Sequence, residues 1–237
     1  MNIVILEDAD FISERRVLLD GRRFAHIVNV LKSKLGDCLR VGCLNGDLGS
    51  GVIVEFSGSR VELEIDLDHA PPPPLPVRLL LALPRPKVLR RVLAAAVTMG
   101  IKEIFLFNSW RVEKSYWQTP WLTPECLREI SLLALEQAGD TRLPEIFLKP
   151  RFRPFAEDEV PVLARDCDAW LLHPQADSGL SKCAGRAPAL VAVGPEGGFI
   201  PFEVEMLAVA GLGVVSLGPR ILRVEQAVPA VLGHFLI

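Results

Sequence analysis

A proline-rich run from Pro71 to Pro76 divides the 237-residue chain into two parts with different hydrophobic patterns. Such runs are stiff and extended, so they separate neighbouring folded elements. Short strand-like stretches dominate before the run, whereas strands alternate with helices after it. We therefore predict a small β-rich domain at residues 1–70, a linker at 71–76 and a larger α/β domain at 77–237.

The first part has the pattern of a small β-barrel. Runs of β-forming residues cover Cys38–Leu44 and Gly51–Phe56, and apolar and polar residues alternate over Val61–Leu67. That alternation is typical of a sheet with one face in water. One helix, capped by Asp20, is expected among these strands. Its apolar stripe is predicted to consist of Phe24, Ile27, Val30 and Leu31.

The second part alternates strands and helices, which predicts a mostly parallel sheet covered on both faces. The expected strands are Val77–Leu83, Ile101–Phe107, Glu145–Leu148, Ala169–Leu172, Leu190–Val193 and Val214–Leu217. The expected helices are Pro86–Met99, a helix from Pro124 to about Ala138, Pro201–Ala210, and a last one that reaches Phe235. Gly100 is predicted to end the first of these in a left-handed conformation. Because Pro229 has no N–H, the last helix is expected to become regular only near Ala227–Pro229.

Composition excludes several classes of protein. Half of the residues are apolar and 23% are charged, as in ordinary globular domains. No apolar run of about 18 residues, the length that crosses a membrane, is present. The N-terminal residues lack the basic and apolar regions of a signal peptide, so we expect a cytoplasmic protein. The five cysteines are scattered and the four histidines have no ligand spacing, which predicts reduced thiols and no metal site.

Charge is distributed unevenly although the net charge is only −3. Residues 11–46 contain seven basic and three acidic side chains, and residues 78–114 contain eight basic and two acidic ones. Two basic zones on an acidic protein favour a surface that binds phosphates. For any single arginine, a solvated helix face is the simpler interpretation.

Three loops that follow predicted strands have unusual sequences. They are LLHP at 171–174, GPEGG at 194–198 and LGPRILR at 217–223. Ligands of open α/β sheets bind at the carboxyl ends of strands, where these loops are expected. Two of the loops carry Gly-Pro, which combines an unobstructed backbone with a fixed φ. Neither a Rossmann fingerprint nor a Walker lysine is present, so the loops indicate either a ligand site of another kind or tight turns.

These stretches resemble the RsmE family of methyltransferases, which act on N3 of a uridine in small-subunit (16S) ribosomal RNA. The resemblance is carried by VGPEGGF at 193–199, LGPRILRVEQA at 217–227, LEQAGDTRLPEI at 135–146 and HIVNVLKSKLGD at 26–37. It implies a SPOUT fold, in which the C-terminal domain holds a deep trefoil knot and the N-terminal domain is a PUA-like RNA-binding barrel. It also implies a homodimer that holds S-adenosylmethionine in the knot, with the active site at the dimer interface.

The resemblance assigns cofactor contacts to one set of residues: Leu172, His173, Pro174, Gly194, Glu196, Gly197, Gly198, Leu217, Gly218, Ile221 and Leu222. Plain core packing is the alternative for Leu217, Ile221 and Leu222. For Glu196, the alternatives are a brace for its own loop, a partner for the sulfonium charge, and a role in catalysis.

Arg223 and Glu225 are implied as catalytic residues. Methylation of N3 of uracil requires loss of the N3 proton and stabilisation of charge on the carbonyl oxygens, for which a carboxylate and an arginine are suited. Contacts to RNA are expected from a basic set: Arg22, Arg23, Lys32, Arg85, Lys87, Arg90, Arg91 and Arg142.

The chain departs from the family pattern at several positions. The family's Arg-Thr-Glu-Thr reads Arg223-Val224-Glu225-Gln226, Ile200 stands where a serine-like helix cap is usual, and Asp140 replaces an arginine. The missing cap is expected to cost about 0.5–2 kcal/mol of local stability. Two alternatives therefore stay open beside N3 methylation. One is a knotted RNA-binding protein with weakened or lost catalysis, and the other is a SPOUT enzyme for another RNA site or a ribose hydroxyl.

Overall fold

The chain forms two compact units in a computed structural model that describes residues 2–180 and 188–236. The first unit comprises Met1–Pro73 and Leu132–Leu143, and the second comprises Pro74–Ser131 and Pro144–Ile237. The division between the two units falls within the proline-rich run, between Pro73 and Pro74. The segment 132–143, expected in the larger domain, is grouped with the first unit instead.

A mixed six-stranded sheet forms the first unit, in the order β1-β4-β5-β6-β3-β2. Its strands are β1 (Val4–Leu6), β2 (Phe11–Ser13), β3 (Arg16–Leu19), β4 (Cys38–Cys43), β5 (Leu48–Ser57) and β6 (Arg60–His69). The pair β1–β4 is parallel and the other pairs are antiparallel. The predicted alternation in β6 is confirmed, because Val61, Leu63 and Ile65 are buried while Glu64 and Asp66 are exposed.

The predicted apolar stripe of the first helix is only half right. The chain is α-helical as α1 (Gly21–His26) and then widens into a π-helix over Ile27–Leu31. Ile27 is fully buried, but Val30 and Leu31 are 63% and 43% exposed. A π-helix has more residues per turn than an α-helix, so side chains beyond Ile27 rotate out of the expected stripe. Asp20 precedes the helix but makes no side-chain cap.

Residues 132–143 belong to the first unit because their backbone is hydrogen-bonded to residues of that unit. The carbonyl oxygen of Glu136 accepts the N–H groups of Asn2 and Ile3, at 2.8 and 3.1 Å. The carbonyl oxygen of Thr141 accepts the N–H of Asn45 at 2.9 Å. These bonds join positions about a hundred residues apart in sequence, and no periodic pattern in the sequence indicates such pairings.

A parallel six-stranded sheet forms the second unit, in the order β12-β10-β11-β7-β8-β9. Its strands are β7 (Val77–Ala82), β8 (Glu103–Phe107), β9 (Glu145–Lys149), β10 (Asp168–Leu172), β11 (Ala189–Val193) and β12 (Gly213–Val215). The helices are α2 (Pro86–Thr98), α3 (Pro124–Ala138), α4 (Phe152–Pro154), α5 (Val160–Leu163), α6 (Pro201–Val209) and α7 (Val224–Gly233). The part of α3 from Leu132 onwards is grouped with the first unit. A π-helix at Phe155–Glu159 joins α4 to α5. The predicted parallel sheet and most of its element bounds are thereby confirmed.

The predicted start of the last helix is wrong. Helix α7 begins at Val224 and contains Pro229 in its interior. Proline at that place removes one helical hydrogen bond. The helix continues through it because Val224, Val228, Val231 and Leu232 are buried along one side, and α7 packs against α2.

Candidate functional site

A cleft of about 1530 Å³ lies at the carboxyl ends of β10, β11 and β12. The first residues of α2 and Arg111 from the loop after β8 complete its walls. The chain enters the sheet at β7 and builds outwards through β8 and β9, then returns to add β10, β11 and β12 on the other side of β7. Ligands of parallel sheets bind where the strand order reverses in this way.

The cleft brings together every residue to which the sequence assigns cofactor binding. All eleven line it, from Leu172 in the first loop to Leu222 in the last, and both Arg223 and Glu225 line it as well. Core packing is the alternative for three of these residues, and the exposure of Ile221 argues against it there. Leu217 and Leu222 are only partly buried, and Ile221 is 85% exposed at the cleft.

The loop after β11 (residues 194–200, the β11 loop) is held by bonds on several sides. Gly198 donates its N–H to the Pro195 carbonyl oxygen at 2.8 Å and has φ +71°, a value that favours glycine. The Arg111 guanidinium donates to the Gly197 carbonyl oxygen. A Cβ on Gly197 would lie 2.9 Å from the Arg111 side chain, so the absence of a side chain there permits this contact.

Glu196 braces its loop, which was one of the alternatives that the sequence left open. The bond does not stay within the loop but reaches the residue before α2. The Glu196 carboxylate accepts the backbone N–H of Arg85 at 3.0 Å, immediately before α2 begins. The side chain is exposed and also lines the cleft. One carboxylate thus connects the β11 loop to the loop after β7.

A buried carboxylate that the sequence analysis missed anchors the same region. Glu203 is 2% exposed and accepts the Trp110 N–H at 2.7 Å, the Ser109 hydroxyl at 3.2 Å and the Ile200 N–H at 3.0 Å. It therefore joins the β8 end to the start of α6. By accepting the Ile200 N–H, Glu203 supplies the half of a capping box that does not depend on a serine at position 200.

The loop after β12 (residues 216–223, the β12 loop) is built differently. Gly218 has φ +118°, a conformation that other residues rarely adopt. From 217 to 222, no backbone N–H or C=O bonds another residue within 2–180 or 188–236. Polar backbone groups need partners when a ligand covers them, so this stretch offers several donors and acceptors to whatever enters the cleft.

The loop after β10 carries His173 and is fixed by the neighbouring strand. The His173 N–H donates to the Val215 carbonyl oxygen at 2.9 Å. Further on, the Leu180 N–H donates to the Ser216 carbonyl oxygen and the Ser216 N–H donates to the Ser178 carbonyl oxygen. The His173 ring accepts the Gln175 N–H at 3.3 Å. This places a partly buried imidazole at the cleft wall.

Arg223 and Glu225 stand at the N-terminus of α7. The Arg223 N–H donates to the Gln226 side-chain oxygen at 3.3 Å, so the glutamine that replaces a family threonine helps to cap the helix. Val224, in place of the other threonine, is 4% exposed and belongs to the core. Neither departure removes Arg223 or Glu225 from the cleft.

Four of the basic residues predicted to bind RNA lie at or near the start of α2. Arg85, Lys87, Arg90 and Arg91 are all exposed there. The Arg90 guanidinium lies over the Trp121 ring, 4.2 Å from its centroid.

The hydroxyl of Tyr116 lies near Arg85. Burial and a hydrogen bond to Glu113 raise the pKa of Tyr116, while Arg85 acts in the opposite direction. The hydroxyl is therefore a protonated donor at neutral pH.

The predicted RNA-binding residues of the first unit differ in their exposure and in the ion pairs that they make within the protein. Arg23 is held by both Asp10 carboxylate oxygens, at 2.5 and 2.6 Å, and its side chain is 17% exposed, which favours a structural role over a phosphate contact. Arg22 makes a two-pronged ion pair with the buried Glu136 but stays half exposed. Lys32 and Arg142 are exposed.

Asp140, which replaces a family arginine, is 5% exposed and accepts the Arg142 N–H at 2.9 Å. Its carboxylate therefore braces a turn and is not presented at the surface.

Among residues 2–180 and 188–236, no three His, Cys, Asp or Glu side chains are grouped so as to hold a metal ion. None of the helices in that part of the chain combines the length and apolar character needed to cross a bilayer.

The same overall fold occurs in solved structures. A protein of Legionella pneumophila in complex with the cofactor SAM superposes with a TM-score of 0.79 at 20% identity, covering 99% of this chain and 96% of that one. A ribosomal RNA small subunit methyltransferase E from Neisseria gonorrhoeae, bound to S-adenosyl methionine, gives 0.77 at 22% identity, with 99% and 96% covered.

Sequence comparison defines the family. Residues 71–236 match the RNA methyltransferase domain family. The ribosomal RNA small subunit methyltransferase E of Treponema pallidum (strain Nichols) is 31% identical over 232 residues, which cover 96% of this chain and 87% of the relative. The chain therefore belongs to the RNA methyltransferase domain family, within its small-subunit methyltransferase E (RsmE) branch.

Proposed function

We propose that this protein transfers a methyl group from S-adenosylmethionine to N3 of a uridine in small-subunit (16S) ribosomal RNA, in the cytoplasm. The observation that carries the proposal is the single cleft that gathers all eleven predicted cofactor residues with Arg223 and Glu225. Family membership and the activity in the name of the Treponema pallidum relative support it.

The lining of the cleft fits this cofactor. Adenine and ribose present hydrogen-bonding edges that suit the backbone groups of residues 217–222, and the partly buried Leu172, Leu217 and Leu222 offer apolar contacts. Four carboxylates line the cleft, those of Asp177, Glu196, Glu205 and Glu225. Glu196 and Glu225 belong to or follow the predicted cofactor loops, where they would favour a cationic ligand. When bound, S-adenosylmethionine supplies an electrophilic methyl group on a sulfonium sulfur.

Side chains of the protein would then accept the N3 proton and stabilise the negative charge that develops on the uracil. Glu225 would accept the N3 proton of the uracil, and the nitrogen lone pair so exposed forms the new N–CH₃ bond as the methyl–sulfur bond breaks. Arg223 would stabilise negative charge on the adjacent carbonyl oxygens. Both residues follow the unbonded part of the β12 loop directly, so the site for chemistry adjoins the site for the cofactor.

The finer architecture is part of the same proposal. The β12 loop and α7 would belong to a trefoil knot, and the six-stranded first unit would be a PUA-like domain that contacts RNA through Arg22, Lys32 and Arg142. Basic residues around the start of α2 would contact phosphates from the second unit.

A homodimer is proposed as well, with the active site at its interface. Exposed apolar side chains of the second unit support it: Ile221 is 85% exposed, Val209 85% and Phe202 54%. Sedimentation velocity would test it, because a single species with the mass of one chain at micromolar concentration contradicts a dimer.

Calorimetric titration with S-adenosylmethionine and S-adenosylhomocysteine tests the cofactor directly. The proposal predicts saturable binding of both compounds to the wild-type protein. No detectable heat and no competition between them would refute it.

A further inference from the structure

One surface of the second unit is not explained by cofactor binding. Three of the four tryptophans and the only tyrosine of the chain fall within residues 110–121. They belong to the stretch between β8 and α3, which we call the aromatic loop (residues 108–122). Basic residues are interleaved with the rings: Arg111 and Lys114 lie in the loop, and Arg90 reaches it from α2. Interleaved rings and cations are typical of surfaces that hold unpaired nucleic acid, since bases stack on rings while cations contact phosphates.

Three of these four rings are engaged within the protein. The Trp117 indole N–H donates to the Asn108 side-chain oxygen at 2.9 Å, and the Tyr116 hydroxyl donates to Glu113 at 2.9 Å. Trp121 lies beneath the Arg90 guanidinium. Trp110 differs, because it is 79% exposed and is the most exposed of the Trp, Tyr and Phe side chains in residues 2–180 and 188–236.

The exposed ring stands on a fixed backbone. The Trp110 N–H donates to the buried Glu203 at 2.7 Å, and its neighbour Ser109 is 1% exposed and donates to the same carboxylate. The next residue, Arg111, lines the cleft and binds the Gly197 carbonyl oxygen. A large apolar side chain is therefore held in water one residue away from the predicted cofactor site. Core packing does not explain that arrangement, because most of the ring contacts solvent.

The chemistry proposed above requires such a surface. N3 of uracil lies on the edge that pairs with another base, so the nitrogen is accessible only when the base is unpaired and drawn out of its stack. An enzyme that works on an extruded base must replace the lost stacking, and aromatic side chains do this for any base.

We propose that Trp110 is a stacking platform for an unpaired base of the RNA substrate, at the rim of the cleft. Arg111 and Lys114 contact the phosphates on either side of that base, and the Glu113 carboxylate is occupied by Tyr116. This assignment rests on the proposed function, which it deepens by naming the part of the site that holds the RNA.

Steady-state methyl transfer to small ribosomal subunits from cells lacking this protein tests the platform. Trp110→Ala should raise KM for the subunits about 10-fold and leave the Kd for S-adenosylmethionine unchanged, whereas Trp110→Phe, which keeps a ring, should raise KM only two- to threefold. Val162→Ala is the matched control, because Val162 is an exposed apolar side chain of the same unit that neither lines the cleft nor belongs to the proposed dimer surface. It should leave KM unchanged.

Two outcomes overturn the proposal. One is a Trp110→Ala variant with the KM of the wild type. The other is a Trp110→Ala variant whose mass in solution differs from that of the wild type, since the ring would then lie in a contact between protein chains.

A binding experiment separates this proposal from the proposed function. A uridine oligonucleotide of about ten nucleotides should quench tryptophan fluorescence of the wild type, and most of that quenching should be absent in Trp110→Phe. This result is expected even if no methyl group is transferred, in which case the proposed function fails and the platform stands. Equal quenching in both proteins contradicts the platform.

Discussion

The two Gly-Pro loops of the cleft have similar sequences but opposite construction. The β11 loop is tied at Glu196, Gly197 and Ile200 to other parts of the second unit, and Gly198 closes a bond within the loop. The backbone of the β12 loop makes no such bonds from 217 to 222 within the described residues, and Ile221 is 85% exposed. A glycine-rich loop can thus serve as a rigid wall or as a set of unused hydrogen-bonding groups.

This difference assigns separate roles to the two loops. Binding sites work best when rigid elements hold the groups that contact the ligand. The β11 loop supplies rigidity, because its one carboxylate and the carbonyls of Pro195 and Gly197 are already engaged. Under the proposed function, the β12 loop would supply ligand contacts and lead into the proposed catalytic pair, Arg223 and Glu225.

The largest expected effect comes from the end of the β12 loop and the start of α7. Under the proposed function, Arg223→Ala and Glu225→Ala should each lower kcat for methyl transfer about 10²- to 10³-fold, because each would remove a group that acts on the reacting uracil. The calorimetric Kd for S-adenosylmethionine should change much less. Arg220→Ala, an exposed arginine of the same loop, is the control and should retain most of the activity. Normal transfer by both variants would show that the catalytic assignment is wrong.

Substitution of Glu203 tests whether its hydrogen bonds hold the β11 loop and the start of α6 in place. Glu203→Ala leaves three buried or partly buried donors without their acceptor and should lower the free energy of unfolding by about 3 kcal/mol. Urea denaturation measures this change. Glu205→Ala, at an exposed position of the same helix, should change stability by less than about 0.5 kcal/mol. Equal stability of the two variants would mean that the buried carboxylate is not an anchor.

The conformation of the β12 loop depends on Gly218. Gly218→Ala places a side chain at φ +118° and should cost about 1–2 kcal/mol of strain in the folded loop. The affinity for S-adenosylmethionine should fall about 10-fold, as calorimetry would show. Gly233→Ala, in α7 and with open space around it, should leave the affinity intact. An unchanged affinity in Gly218→Ala would show that this loop conformation does not matter for binding.

The smallest effect is expected at Glu196 and separates its two possible roles. Glu196→Gln keeps an oxygen that can accept the Arg85 N–H, so a bracing role predicts cofactor affinity within twofold of the wild type. Glu196→Ala removes the acceptor and should weaken binding severalfold. If glutamine is as damaging as alanine, the negative charge matters more than the brace.

The sequence predicted what depends on local patterns. Alternation in Val61–Leu67, the glycine after α2 and the strands of the parallel sheet all follow from residues close together in the chain. The eleven predicted cofactor residues come from short, contiguous family motifs, and the structure brings them into one cleft.

What the sequence did not reveal depends on distant partners or on small differences in energy. Glu203 reads as an ordinary helical glutamate, because its partners Ser109 and Trp110 lie 94 and 93 residues away. The start of α7 was misjudged because burial of its apolar side outweighs one hydrogen bond lost at Pro229. The clustering of tryptophans in residues 110–121 was visible in the sequence and would have indicated the aromatic loop.

Identification of the nucleoside that acquires the methyl group tests the central claim most directly. Small subunits from cells lacking this protein would be incubated with the enzyme and methyl-labelled S-adenosylmethionine, and the RNA digested and separated by mass spectrometry. The account predicts label in 3-methyluridine, lost in Arg223→Ala and Glu225→Ala. Label in a 2′-O-methyl nucleoside, or no label from a protein that binds the cofactor, would contradict it.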